Sequence, residues 1–67
     1  MEIMEFHVCQ QKRDLRWVVT LDNTRYGDYL DKEQALLDAV EAARDARQAG
    51  RDAQVFLREH RIAARIF

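Results

Sequence analysis

The sequence contains no proline and no serine, a single cysteine and only two glycines. Without serine, the chain lacks the nucleophile of the serine-hydrolase triads. One cysteine allows neither a disulfide within the chain nor a zinc site built from several cysteines. This cysteine usage favours a reducing compartment, and we expect a cytoplasmic protein.

Long apolar runs and glycine-rich phosphate loops are also missing. No stretch approaches the roughly 20 apolar residues that span a bilayer, and the first residues have neither the basic nor the apolar segment of a signal peptide. Neither G-x-G-x-x-G nor G-x-x-x-x-G-K occurs, which removes the familiar nucleotide-binding loops. We expect no membrane insertion, no catalytic residues, no metal and no cofactor.

What remains is a short chain with the composition of a folded protein. Of its 67 residues, 48% are hydrophobic and 34% are charged, and the formal net charge is −1. A chain below about 70 to 80 residues builds one small core and has little room for a deep catalytic cleft. We expect residues 1–67 to form a single, non-enzymatic domain.

Alternating apolar and polar residues predict two strands near the start of the chain. The period of two runs over residues 3–9 and again over residues 15–21, with a polar segment between them. This arrangement favours an antiparallel hairpin. The Asp-Asn-Thr segment at 22–24 predicts a turn, and we expect a loop through Gly27 to follow it.

Capping signals and an alanine-rich segment predict a helix over residues 32–49. Asp31 fits the N-cap, Gln34 fits the third helical position of a capping box, and Gly50 fits the C-terminal cap. The period of two then returns after Gly50 and predicts a second hairpin. The predicted fold is a small α+β domain of order ββαββ, in which one helix packs on one face of an antiparallel sheet of three to four strands.

The period of the helix predicts which side chains form the core. Leu36, Ala39, Val40 and Ala43 fall on one side at about 100° per residue. We therefore expect a helix–sheet core that contains Leu36, Leu37 and Val40 packed against Phe6, Trp17 and Val55. The other face of the sheet would stay uncovered and would carry His7, Arg16, Val18, Thr20, Phe56 and Arg58.

Acidic residues collect before the helix and along its outer side, where residues 22–50 contain seven acids and four bases. We define the acidic ridge as Asp28, Asp31, Asp38, Glu41 and Asp45. A helix face that serves only solubility usually mixes both signs of charge, and no lysine lies on this stripe. The ridge is therefore a candidate partner-binding surface, with an ordinary solvated helix face as the alternative.

Tyr26 and Tyr29 precede the helix and are candidate anchors for the same partner, because amphipathic aromatic residues are frequent at interfaces. Their alternative role is to pack over the end of the helix. His7 and Cys9 share one strand face, as a catalytic pair or two metal ligands would, but no third ligand stands at a recognisable spacing. A partly buried, inert cysteine is the simpler interpretation.

Four arginines after residue 50 offer a rival functional surface. Arg58, Arg61 and Arg65, together with His60, could follow a phosphate backbone. Arginines on a terminal strand also prevent edge-to-edge pairing of sheets. The second hypothesis is therefore a small nucleic-acid-binding or regulatory module.

The run Asp-Lys-Glu-Gln-Ala-Leu at 31–36, the Ala-Arg helix, Gly50 and the Gln-Val-Phe-Leu strand at 54–57 resemble small bacterial strand–strand–helix–strand domains of unknown function. That resemblance implies a fold and no activity. In size and acidic surface the chain resembles phage-encoded anti-CRISPR proteins, several of which present carboxylates to the basic DNA-holding surfaces of CRISPR effectors. We expect an inhibitor of this kind, a monomer or weak dimer that binds a basic nucleic-acid-binding protein and does not bind nucleic acid directly.

Overall fold

A single helix lies across one face of a five-stranded sheet, which gives a two-layer α+β structure. The computed structural model describes residues 2–67. In chain order the elements are β1 Ile3–Gln10, β2 Trp17–Leu21, β3 Thr24–Tyr29, α1 Lys32–Gln48, β4 Asp52–Glu59 and β5 Ile62–Arg65. The predicted α+β class is confirmed, whereas the number and the directions of the strands differ from the prediction.

The predicted loop through Gly27 is a strand, so the element order is βββαββ and not ββαββ. Asp22 and Asn23, in the predicted turn, have φ values of 51° and 69°, as the two central residues of a type I′ hairpin turn require. Such a turn sends the chain straight back, and β3 pairs with β2 in antiparallel fashion. The sequence did not predict β3 as a strand because it contains a glycine and an aspartate, and both residue types are depleted in strands.

The sheet is mixed, which corrects the prediction of an antiparallel sheet. Its strand order is β3-β2-β1-β4-β5. The central pair, β1 and β4, runs parallel, from Ile3 opposite Asp52 to Cys9 opposite Arg58. Parallel neighbours need a long crossover connection, and the segment that contains helix α1 provides it. The two predicted hairpins, β1–β2 and β4–β5, are antiparallel as expected.

Helix α1 begins and ends almost where the capping residues predict. Asp31 is the N-cap, and its carboxylate accepts a hydrogen bond from the backbone N–H of Gln34 at 2.8 Å. The Gln34 side chain points along the helix and not back to Asp31, so only half of the capping box forms. The helix ends at Gln48, one residue before the predicted end, and Gly50 follows with a φ of 85°.

Three alanines form the fully buried contact of the helix with the sheet, and the larger side chains Leu36 and Val40 pack at its edge. The core consists of Phe6, Val8, Trp17, Val19, Ala53 and Val55 from the sheet and Ala35, Ala39 and Ala43 from the helix. Ala39 and Ala43 agree with the predicted core, whereas Leu36 and Val40 are only half-buried and Leu37 is 58% exposed. The buried side of the helix is therefore rotated by roughly 50° from the prediction at about 100° per residue. A row of three alanines lets the helix lie closer to the sheet than leucines would.

The second face of the sheet carries no helix, as predicted. The strand registers place His7 beside Thr20 and Phe56, and Cys9 beside Val18 and Arg58. We call this surface the open face. It includes Asp28 of β3, opposite Val18, and Arg65 of β5, opposite Phe56. Arg16 precedes β2 but reaches the same surface, where it approaches Asp28.

Candidate functional site

Three of the predicted acidic residues lie together on one flank of the helix. Asp38, Glu41 and Asp45 are three and four positions apart, so they follow one another along the same side of successive turns. Glu41 and Asp45 are exposed and Asp38 is half-buried. We call these three residues the acidic flank. It borders the side of the helix that faces β3, since Asp38 is next to Tyr29.

Asp38 has a structural role inside the flank. Its carboxylate accepts a hydrogen bond from the Gln34 side-chain amide at 3.2 Å and lies near the Tyr29 hydroxyl. Partial burial and the negative charge of Asp38 raise the pKa of Tyr29 to about 12. One of the three carboxylates is therefore already engaged with the protein itself.

Glu41 and Asp45 are the two carboxylates that remain available. The ion pairs among residues 2–67 join His7 with Glu5, Asp28 with Arg16 and Arg25, and Lys32 with Glu59. None of them neutralises the acidic flank. Since like charges on successive turns repel each other by a few tenths of a kcal/mol per pair, the flank is a local concentration of uncompensated negative charge.

The other two residues of the predicted ridge lie elsewhere. Asp28 is on the open face, on the opposite side of the sheet from the helix, with its carboxylate 3.7 Å from Arg25 and 4.0 Å from Arg16. Two cations therefore balance its charge. Asp31 caps the helix, and its carboxylate oxygen accepts the hydrogen bond from the backbone N–H of Gln34. The structure thus divides the five residues of the ridge between two faces and a helix cap.

Both tyrosines belong to strand β3 and not to a loop. The Tyr26 and Phe6 rings form a T-shaped pair, with their centroids 5.6 Å apart and their planes at 87°. Tyr26 is 50% exposed. Tyr29 is half-buried, and its ring lies over Gly27, where a Cβ atom would be 2.8 Å from the hydroxyl oxygen. Tyr26 is consequently the tyrosine with most surface to offer a partner, whereas Tyr29 packs beside the helix.

A basic groove opens at the end of the sheet where β1 and β4 finish. Lys12, Arg58, His60 and Arg61 line it together with Gln10, Trp17 and Glu59. Arg58, Arg61 and Arg65 were predicted to act together. Arg58 and Arg61 line the groove, whereas Arg65 shares the open face with Arg58 but donates a hydrogen bond to the Phe67 carbonyl. Sequence reasoning missed Lys12, which joins the groove because β1 and β4 run parallel and end on the same side.

His7 and Cys9 do not form a reactive pair in the part of the chain that the structure describes. The His7 ring stacks on Phe56 with a centroid distance of 5.0 Å and an angle of 14°. Its Nε2 atom is 3.3 Å from Glu5, and its buried Nδ1 atom has no hydrogen-bond partner. Within residues 2–67 no three His, Cys, Asp or Glu side chains converge as a metal site would require.

Comparisons with protein-family models, with curated proteins and with solved structures gave no match to the chain. Among residues 2–67, the one helix is too short and too polar to cross a membrane.

Proposed function

We propose that this chain is a non-enzymatic binding protein that uses its acidic flank to occlude a basic, nucleic-acid-binding surface of a partner protein. The supporting observation is the arrangement of Asp38, Glu41 and Asp45 on one side of a rigid helix, with no cation of residues 2–67 paired to them. Fixed carboxylates can take the place of phosphates against lysine and arginine side chains. CRISPR effectors, which hold DNA on such surfaces, are partners of this class.

The mechanism is electrostatic and steric. Uncompensated charge on the flank attracts a basic groove and accelerates association, and this effect weakens as salt screens the charges. Once bound, the helix and the adjacent edge of β3 fill the groove that nucleic acid would enter. The Tyr26 ring packs against Phe6 of the core, and the residue is 50% exposed, so the uncovered part of Tyr26 can supply an aromatic contact at the edge of the interface.

Charge reversal at the two free carboxylates tests this proposal. The Glu41→Lys/Asp45→Lys variant leaves Asp38 in place, so the Tyr29 contact and the fold are retained. A matched control, Glu2→Lys/Asp52→Lys, makes the same change in net charge at exposed positions away from the flank. Both variants should give the circular dichroism spectrum of the wild type.

The assay is a tagged pull-down from lysate of the source cells, with and without nuclease, followed by mass spectrometry. The wild type and the control should capture the same basic nucleic-acid-binding protein after nuclease treatment, and the flank variant should lose it. Binding of the purified partner should weaken as salt is raised. Capture that persists in the flank variant, or that disappears with nuclease, contradicts the proposal.

The basic groove supports a second candidate function, direct binding of nucleic acid. Its specific observation is that Lys12, Arg58, His60 and Arg61 line one concave surface. Anisotropy of labelled single-stranded and double-stranded DNA and RNA, measured against salt, tests it: neutralising phosphates gives a steep log–log salt slope, and Arg58→Ala/Arg61→Ala should reduce that slope. Absence of binding at low salt rules this function out.

A further inference from the structure

An apolar stripe lies on the side of the helix away from the acidic flank. Glu33, Leu36, Leu37 and Val40 line a shallow groove there. The 58% exposure of Leu37 is large for a leucine in the middle of a helix. Because the alanine row occupies the side of the helix that faces the sheet, these larger side chains lie to one side of that contact. Leu36 and Val40 are half-buried at the edge of the core, and Leu37 is left mainly uncovered.

The same side of the molecule has further uncovered apolar surface on the edge strand. Ile62 and Ala64 of β5 pair with Glu59 and Leu57, which places them on the helix-facing side of the sheet. The helix packs on β1 to β4 and does not reach β5. Ile62 is accordingly 67% exposed. Apolar surface on two elements of one side of a small protein is typical of an interface.

Charged residues at the two ends of the helix groove indicate which partner would complement it. Glu33, Leu37, Val40 and Arg44 stand at positions i, i+4, i+7 and i+11, so their side chains fall within about 60° of one another around the helix. The acid lies at the N-terminal end and the base at the C-terminal end. Neither takes part in an ion pair within residues 2–67. We call these four residues the helix stripe.

An antiparallel copy of the helix stripe complements it. When two stripes pair about a twofold axis between residues 38 and 39, Glu33 of each chain lies opposite Arg44 of the other, and Leu37 lies opposite Val40. A parallel pairing would instead place like charges together. We propose that two copies of this chain associate through their helix stripes, packed antiparallel, as a homodimer.

The dimer is compatible with the rest of the surface. Helices with leucine and valine at their contact approach to about 8 to 10 Å between axes, a distance at which the side chains at both ends of the stripe can meet. At about 100° per residue, Asp38 and Asp45 lie more than 100° around the helix from the centre of the stripe and stay outside the contact, whereas Glu41, four residues after Leu37, borders it. Because each chain contributes mainly one helix flank, we expect a reversible dimer whose population rises with concentration.

Sedimentation equilibrium of the full chain over a wide concentration range measures the association. The wild type should shift from the mass of one chain to that of two. Leu37→Glu should raise the dissociation constant of the dimer by at least about tenfold, which corresponds to about 1.4 kcal/mol. Leu15→Glu is the matched control, because Leu15 is similarly exposed but lies in the turn between β1 and β2.

A charge exchange tests the antiparallel arrangement itself. Glu33→Arg alone and Arg44→Glu alone should each weaken the dimer, because each variant brings like charges together at both ends of the stripe. An equimolar mixture of the two variants should restore association as a heterodimer, since opposite charges then face each other at both ends. Circular dichroism establishes that every variant is folded.

Three outcomes would overturn the proposal. The first is a wild type that remains a single chain at the highest concentration. The second is a dimer that Leu37→Glu does not weaken; if Ile62→Glu disrupts that dimer, the contact is the edge of β5 and not the helix stripe. The third is a mixture of the charge variants that associates no better than either variant by itself.

Discussion

Tyr29 at the end of strand β3 and Asp38 of helix α1 are neighbours, with the phenol hydroxyl beside the carboxylate. The contact fixes the position of the last strand residue before the helix, and it holds one carboxylate of the acidic flank in place. Partial burial, together with the neighbouring Asp38 carboxylate and its negative charge, raises the pKa of Tyr29 from 10.0 to about 12. The pair therefore makes the stability of the fold sensitive to alkali.

The free energy of unfolding should fall between about pH 10 and pH 12 because of Tyr29. Below pH 10 the phenol is protonated in both states, so the full stabilisation is present. As the pH rises, Tyr29 of the unfolded chain ionises first, and the free energy of unfolding falls by at most about 1.4 kcal/mol per pH unit until the folded pKa is passed. Urea unfolding across this range should show the decline in the wild type and a smaller one in Tyr29→Phe. Tyr26→Phe is the control and should keep the decline.

Gly27→Ala should move the Tyr29 hydroxyl away from Asp38 without unfolding the protein. A Cβ atom at residue 27 would lie 2.8 Å from the Tyr29 hydroxyl oxygen and 3.2 Å from the ring carbon that bears it. The tyrosine side chain can swing away, so the fold is retained while its pKa returns toward 10. Absorbance titration of tyrosinate measures this change. An unaltered transition near pH 12 would show that the ring does not depend on the glycine.

Ala39→Leu should destabilise the protein more than Leu37→Ala, although it adds apolar atoms. Ala39 is fully buried between helix and sheet, and extra methylene groups in a well-packed core cost about 1 to 3 kcal/mol. Leu37 is mainly exposed, and changes at such positions stay within about 0.5 kcal/mol. Urea unfolding of both variants below the concentration of any association makes the comparison. The reverse order of stability would contradict the alanine row as the contact surface.

Gly50→Ala should lower the free energy of unfolding by about 1 to 2 kcal/mol, the cost of a left-handed backbone for a residue with a Cβ atom. Gly50 has a φ of 85°, and an added Cβ atom would meet no other atom within 4 Å, so the effect comes from backbone conformation and not from a clash. Gly50→Asn should cost less, because asparagine tolerates this conformation better. Equal losses in the two variants, measured by urea unfolding, would point to a different cause.

The sequence was sufficient for the features that local chemistry determines. The helix boundaries follow from Asp31 and Gly50, whose capping roles depend only on neighbouring residues. The two hairpins follow from alternation, because a period of two is a property of each strand alone. The parallel pairing of β1 with β4 depends on how the chain returns after the helix, and no local pattern encodes it. Alanine has a high helix propensity on any face of a helix, so the row of Ala35, Ala39 and Ala43 did not show which side of helix α1 is buried.

The helical period was sufficient to predict the acidic flank, but local patterns were not sufficient to place all five residues of the acidic ridge. Asp38, Glu41 and Asp45 share one side because the helical period places them there. The prediction grouped Asp28 with these three residues because it expected Asp28 to lie in a loop before the helix. Asp28 instead belongs to strand β3, whose alternation places its side chain on the open face. Of its two cationic neighbours there, Arg25 stands three residues earlier in the same strand. Arg16 precedes β2, so its approach to Asp28 required the pairing of β2 with β3.

The parallel pairing at the centre of the sheet has a consequence for how the protein is made. The partner of β1 is β4, which starts at Asp52, so β1 leaves the ribosome well before the strand with which it pairs. Until then one edge of β1 is bare, and exposed strand edges recruit other chains. A chain cut or stalled after helix α1 would keep this edge. Partial synthesis or proteolytic clipping there should therefore yield fragments that seed aggregates.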